Sequence, residues 1–295
     1  MNRIGDFRLS ASAIDYVGSD LSRPECIIAM PDGTLWISDN RGGVTRRTAD
    51  GAQTIIGRIG GDPNGLAMDR QGSLYIANIG DGKLYRLQPD GSHAVVLDQF
   101  DGKPLGAVNF VYIDALDRLW LTISTVTEPR SDAVKQPRPD GYILRRDGEL
   151  WRRVADGFHF TNEIRLDRAG RHLYVAETAT GTVTRLPLRS DGSLGTREAF
   201  GPSPLFQGAL IDGITFDAAG NLWVTEISRN ALVVIQPDGT AVTVFEDPGG
   251  GVLNVPTSLT FGGPDLTIAY IGSLRMTQLA RFQAPFPGEP LRHWR

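Results

Sequence analysis

A chain of 295 residues, 41% hydrophobic and 22% charged, has enough apolar material for a sizeable core and lacks the composition of a disordered segment. Lys and Arg, 30 in all, nearly balance 34 Asp and Glu, so no basic footprint points to nucleic acid or to an anionic membrane, and small neutral or weakly charged partners are expected. The single cysteine, Cys26, excludes an internal disulfide framework and any cysteine-based zinc site; with no apolar leader run and no bilayer-length apolar stretch, the expected location is the cytoplasm.

In chain order, the N-terminal run "DFRLSASAIDYV" reads as a strand with no hairpin partner of its own. A frame then begins at Pro24, "PECIIAMPDGTLWISD", and returns from Pro63 ("PNGLAMDRQGSLYIAN"), Val108 ("VNFVYIDALDRLWLTI"), Thr161 ("TNEIRLDRAGRHLYVAE") and Ile211 ("IDGITFDAAGNLWVTE"). A degenerate sixth copy, "PTSLTFGGPDLTIAYI", starts at Pro256. Each copy is a short strand, an Asp- and Gly-rich turn and a second strand carrying Trp36, Tyr75, Trp120, Tyr174 or Trp223, which is a β-hairpin pattern. Second hairpins turn at Asp90-Gly91, Asp147-Gly148 and Asp238-Gly239. Four strands per unit, recurring every 40 to 50 residues or so, predict an all-β fold: a six-bladed β-propeller with four antiparallel strands per blade. The sixth unit runs out after its third strand, "QLARFQ", so residues 1–18 are expected to supply its outer strand and close the ring, making residues 1–295 one propeller domain.

Innermost propeller strands run along the central axis, so equivalent frame positions form a ring around one point. The second frame position holds Glu25, Asn64, Asn109, Asn162, Asp212 and Thr257, each offering a side-chain oxygen. One such residue could begin a strand for local turn reasons. Six at one frame position crowd carboxylates and amides together, and a positive charge between them relieves the repulsion and desolvation. A hard divalent cation, Ca²⁺ first, fits oxygen ligands of this kind, and no His or Cys stands at the frame position to favour a soft metal. Asp69, Asp114, Asp167 and Asp217, at the opposite strand end, read as turn residues. Asp39, Asn78, Glu177 and Glu226 end the second strands and read as solvated ends, with a place behind the ring ligands or against substrate as the alternative.

The segments "PECIIAMPDGTLWISD", "HFTNEIRLDRAGRHLYVAET" and "DGITFDAAGNLWVTE" resemble the senescence marker protein/gluconolactonase family, six-bladed propellers with one divalent cation at the channel mouth. The resemblance covers nearly the whole chain and implies that Glu25, Asn162 and Asp212 hold the metal, with Asn109 at the intervening blade and Asp212 as general base. Members of that family differ in their ion, so Zn²⁺, Mg²⁺, Mn²⁺ and Fe²⁺ stand behind Ca²⁺. The implied activity is opening of a lactone or related ester by metal-assisted hydrolysis, with Asn64 and Asn109 orienting substrate or completing the coordination. Two departures matter: Ala107 and Phe110 flank Asn109 where sugar-lactone hydrolases of the family carry Arg and Asp-Gly, and Glu163 follows Asn162 where the family usually has Gly. Phe110, Phe158 and Phe160 accordingly suggest a less polar lactone or ester than a sugar lactone, and Glu163 is expected to pack sideways with a charge partner.

His159, three residues before Asn162, is the histidine nearest the ring and a candidate substrate contact; His93, His172 and His293 are expected at the surface, and Cys26 as a small buried residue. The insertion "STVTEPRSDAVKQPRPDG" from Ser124 joins the second and third strands of blade three and reads as a lid, with Arg130, Lys135 and Arg138 as anion contacts. The alternatives are a non-hydrolytic lyase or synthase on the same scaffold and a ligand-binding propeller without chemistry.

Overall fold

The computed structural model describes residues 4–294. Six four-stranded antiparallel sheets form a ring in which the innermost strands touch in cyclic order, a six-bladed β-propeller. Those innermost strands are Ile27–Ala29, Pro63–Met68, Val108–Ile113, Thr161–Leu166, Ile211–Phe216 and Pro256–Gly262, for blades one to six. Blade one differs from its frame, because its strand begins at Ile27 and not at Pro24. Pro24 and Glu25 lend their carbonyls to blade six instead, accepting from the backbone N–H of Ser273 (2.9 Å) and Ser258 (3.2 Å).

The hairpin turns follow from their Asp residues. Asp69 Oδ1 accepts from the N–H of Gln71 (3.0 Å) and Ser73 (2.8 Å), and Asp217 Oδ1 from Ala219 and Asn221 (3.0 Å each), so these carboxylates are turn residues as expected. The turns also anchor the aromatics of the second strands: the indole N–H of Trp120 donates to Asp114 Oδ2 (2.9 Å) and that of Trp223 to Asp217 Oδ2 (3.0 Å). Both indoles are fully buried, and burial on this scale contributes about 2–3 kcal/mol for each large side chain. Each inner strand of blades two to six is buried at nearly every residue, whereas the outer strand His93–Leu97 is largely exposed. The core therefore lies between blades and around the axis.

Blade six is completed by the N-terminal strand Asp15–Val17, which pairs antiparallel with Leu279–Arg281. Ile4, Leu9 and Ile14, just before it, pack with Trp223, Phe261 and Phe282 in the core between blades five and six. Residues 1–3 of the expected closing segment lie outside the described residues. The C-terminal tail then crosses the lower end of the channel. The N–H of Glu289 donates to Phe216 O of blade five (3.0 Å), Arg292 pairs with Asp117 of blade three (2.6 Å), and the Trp294 indole donates to Ala29 O of blade one (2.8 Å). His293 shares that acceptor, Nε2 to Ala29 O at 3.0 Å, so it is half-buried in a defined contact and not a free surface histidine.

Candidate metal centre at the channel mouth

In blades two to six the pairing of the inner strand with its neighbour slips at the ring residue: between Pro63 and Leu66, Val108 and Phe110, Thr161 and Ile164, Ile211 and Ile214, and Pro256 and Leu259. A bulge of this kind re-aims a side chain out of the ordinary alternation. It turns Asn64, Asn109, Asn162, Asp212 and Thr257 toward the axis. In blades three and five a hydroxyl from the second strand fills the gap in the ladder, and in blade one Ser38 bonds the backbone just before the inner strand in the same way. The N–H of Cys26 donates to Ser38 Oγ (2.9 Å), that of Phe110 to Thr122 Oγ1 (3.0 Å), and that of Gly213 to Thr225 Oγ1 (2.8 Å). The signal for this is Trp-x-Ser/Thr, at Trp36-Ile37-Ser38, Trp120-Leu121-Thr122 and Trp223-Val224-Thr225; blades two and four have Tyr-x-Ala instead.

The ring is buried and polar. Glu25 is 3% exposed, Asn162 2% and Asp212 6%, and Asn64, Asn109 and Thr257 are buried with them. Asn64 Nδ2 donates to Glu25 Oε1 (2.9 Å) and to Asn109 O (3.0 Å), while its Oδ1 accepts from the Arg23 guanidinium (2.7 Å). Asn162 Nδ2 donates to Thr178 Oγ1 (3.0 Å). These bonds leave one oxygen on each of three residues, Glu25 Oε2, Asn162 Oδ1 and Asp212 Oδ1, buried with no hydrogen-bond partner. Buried acceptors are nearly always paired, so three orphans around one axis call for something electropositive. Among the described residues no three His, Cys, Asp or Glu side chains gather as a metal set. This set is two carboxylates and an amide, hard oxygen donors that fit a divalent cation such as Ca²⁺.

The electrostatics agree with that fit. Burial first, and then the Asp212 charge, push the Glu25 carboxyl well above the ordinary carboxylate range, against the pull of Arg23. Burial, followed by the Glu163 charge, pushes Asp212 up to about 7. Without a cation the site thus resists carrying both charges.

Glu163 packs sideways, as its departure from the family pattern suggested. Its Oε2 pairs with Arg165 (3.1 Å) and accepts from the N–H of Ile214 on blade five (3.2 Å), while its Oε1 is buried without a hydrogen-bond partner, as the three ring oxygens are. The Arg165 guanidinium in turn lies 4.7 Å from the Phe110 ring centroid, a cation–π contact, and Phe110 sits so close to Gly65 that a Cβ there would approach its Cδ2 to 2.6 Å. Phe110 is therefore channel wall beneath the ring. Phe158 is likewise buried in the inter-blade core under Arg197, 4.3 Å from its centroid, so neither ring argues for an apolar substrate. Cys26 Sγ accepts from the N–H of Leu66 (3.3 Å), and burial pushes its thiol pKa up, which makes it a packing residue.

The polar residues that end the second strands are not solvated ends; all four are buried. Three of them hold the backbone that leads into the ring. Asn78 Oδ1 accepts from Asp62 N–H (3.0 Å), Glu177 Oε2 from His159 N–H (2.8 Å), and Glu226 Oε1 from Leu210 N–H (2.9 Å). Asp39, the fourth, grips Arg41 at 2.7 Å. His159 Nδ1 also contacts Glu177 Oε2 (3.3 Å), and the ring is about one-third exposed beside the approach to Asn162. The insertion of blade three reaches blade two through Arg130, whose guanidinium pairs with Asp62 (3.0 Å), and its short helix Asp132–Lys135 packs against the turn Thr178–Thr180 of blade four. Arg130 is thereby a pin for the loop, and Lys135 pairs with Asp132 (3.3 Å). Sequence reasoning missed Thr178 and Arg23, which lie outside the frame position yet bond to ring residues.

Known proteins agree with this architecture. A 6-deoxy-6-sulfogluconolactonase of Pseudomonas putida is 26% identical, across 74% of this chain and 84% of its own. A pentonolactonase of Haloferax volcanii is 34% identical across 40% of this chain and 39% of its own. The fold is similar to that of regucalcin from Agrobacterium tumefaciens, described as a calcium-binding protein, with a TM-score of 0.77 and 19% identity over 95% of this chain and 97% of that one. Residues 23–275 match the family described as the SMP-30/gluconolactonase/LRE-like region, and with that match across most of its length the chain belongs to this family.

Proposed function

We propose that the protein is a divalent-cation-dependent lactonase whose chemistry takes place at the ring of Glu25, Asn162 and Asp212. The observation that carries this reading is the trio of buried, unpartnered oxygens, Glu25 Oε2, Asn162 Oδ1 and Asp212 Oδ1. They supply hard ligands from three blades, and Ca²⁺ is the expected ion. A bound divalent cation supplies Lewis acidity, polarising a lactone carbonyl and making a nearby water more acidic.

The chain's own residues do the rest. Asn64 holds Glu25 in place through its Oε1, and Asn109 is the ring amide that orients the substrate. Asp212 accepts the proton of the attacking water; the water oxygen bonds to the carbonyl carbon, the ring C–O bond breaks, and the proton passes to the leaving oxygen, giving a hydroxy acid. Arg23, whose guanidinium reaches Asn64 Oδ1, and His159 at the rim are positioned to contact substrate oxygens. The relatives named as sulfogluconolactonase and pentonolactonase favour a sugar lactone, and the burial of Phe110, Phe158 and Phe160 removes the reason for preferring an apolar one.

A panel of aldonolactones, alkyl lactones and aromatic lactones, assayed with Ca²⁺ and after chelation, tests the reading. Hydrolysis of aldonolactones that chelation abolishes and Ca²⁺ restores is expected. Asp212→Asn is expected to keep bound ion and lose about 10²- to 10⁴-fold in kcat/KM. Silence across the panel with cation bound would favour a lyase or a binding propeller.

A further inference from the structure

We propose that Thr178 is the positioning residue that makes Asn162 a cation ligand, an inference that rests on the ring reading above. An asparagine amide has a donor end and an acceptor end, and only the oxygen can face a cation. Here Nδ2 donates to Thr178 Oγ1 at 3.0 Å with one N–H, the other faces the Asp212 carboxylate, and Oδ1 is the end left without a partner. Without that acceptor, both amide N–H groups are left to the ring's own carboxylates, Asp212, which one of them already faces, and Glu25. A freed amide turns its nitrogen to the centre, where it competes with the cation. Thr178 prevents this from a fixed point. It is 4% exposed, its backbone N–H donates to Phe160 O (3.0 Å), and the turn Thr178–Thr180 that it begins is closed by Gly181 in the left-handed region at φ 62°. The helix Asp132–Lys135 of the blade-three insertion packs on the same turn, with Ala133 fully buried. Thr178 thus stands between the insertion and the ring, and touches only the ligand, not the reacting atoms.

The test is Ca²⁺ affinity by calorimetry on the full-length, chelator-stripped protein, for wild type, Thr178→Val and Thr178→Ser, with melting temperatures in EDTA alongside. Valine keeps the shape and removes the acceptor, and a weakening of about 10- to 100-fold in Kd for Ca²⁺ is expected, with serine restoring wild-type affinity. Valine and wild type melting alike in EDTA while differing in Kd supports positioning. A lower melting temperature with Kd within about threefold of wild type would mean that Thr178 serves packing alone, and overturns the proposal. Thr178→Ala takes the same measurement should valine fail to fold. Wild type that binds no Ca²⁺ brings down the ring reading itself and this inference with it, an outcome distinguishable from unchanged binding in the variants.

Discussion

Asp212 and Glu25 face the axis as buried carboxylates whose charged forms are penalised, and this makes the protein's stability depend on pH in an unusual direction. An ordinary Asp in an unfolded chain loses its proton near 3.8, whereas Asp212 in the fold holds it up to about 7. A raised carboxylate pKa means that the folded state binds more protons than the unfolded one across that window, so stability falls as pH rises through it. Chelated protein is therefore expected to melt at lower temperature at pH 8 than at pH 5.5. Added Ca²⁺ should raise the pH 8 value most, because the ion replaces the proton. Calorimetric melting at the two pH values with and without Ca²⁺ checks this; a chelated protein most stable at pH 8 contradicts it. At this scale the ring was legible because the repeat put Glu25, Asn64, Asn109, Asn162 and Asp212 at one frame position. Thr178 and Arg23 were not, since their roles depend on a turn and a guanidinium reach that no repeat encodes.

The element that serves function is the bulged inner strand and the hydroxyl that stabilises it. Thr225 Oγ1 accepts from the N–H of Gly213, the residue after Asp212, and Ser38 and Thr122 do the same in blades one and three. Thr225→Val leaves that buried N–H without an acceptor, at a cost of about 1–3 kcal/mol, and Thr225→Ser keeps the bond. Denaturant titration is expected to separate the two by that margin, whereas equal midpoints would mean that the bulge stands without the hydroxyl. Hairpins and turns were readable from Asp-x-x-Gly and paired aromatics, and the turn Asp residues behave as read. The bulge was not readable: alternation assigns each side chain a face, and an inserted residue breaks the alternation without changing composition. The buried ends Asn78, Glu177 and Glu226 escaped for a related reason. A polar strand end looks solvated until the loop that folds over it supplies backbone donors.

For the molecule as a whole, the repeat was enough to reveal six blades, while the chain ends decide how the ring is held shut. Blade six takes its outer strand from Asp15–Val17, and Ile4, Leu9 and Ile14 fill the adjoining core. Deleting residues 1–18 exposes the edge of Leu279–Gln283 and removes those core side chains, so a lower melting temperature is expected; an unchanged one would show that the ring closes without them. The place of the tail after Gln283 was not legible, because a segment without periodicity carries no sign of what it lies against. Its place has a further consequence. Residues 288–294, laid across the lower end, cover the channel there with the chain's own tail. On the proposed lactonase reading, lactone then enters and hydroxy acid leaves at the opposite end, where the ring lies. On that reading, an acid that lingers at the ring occupies the seat of the incoming lactone.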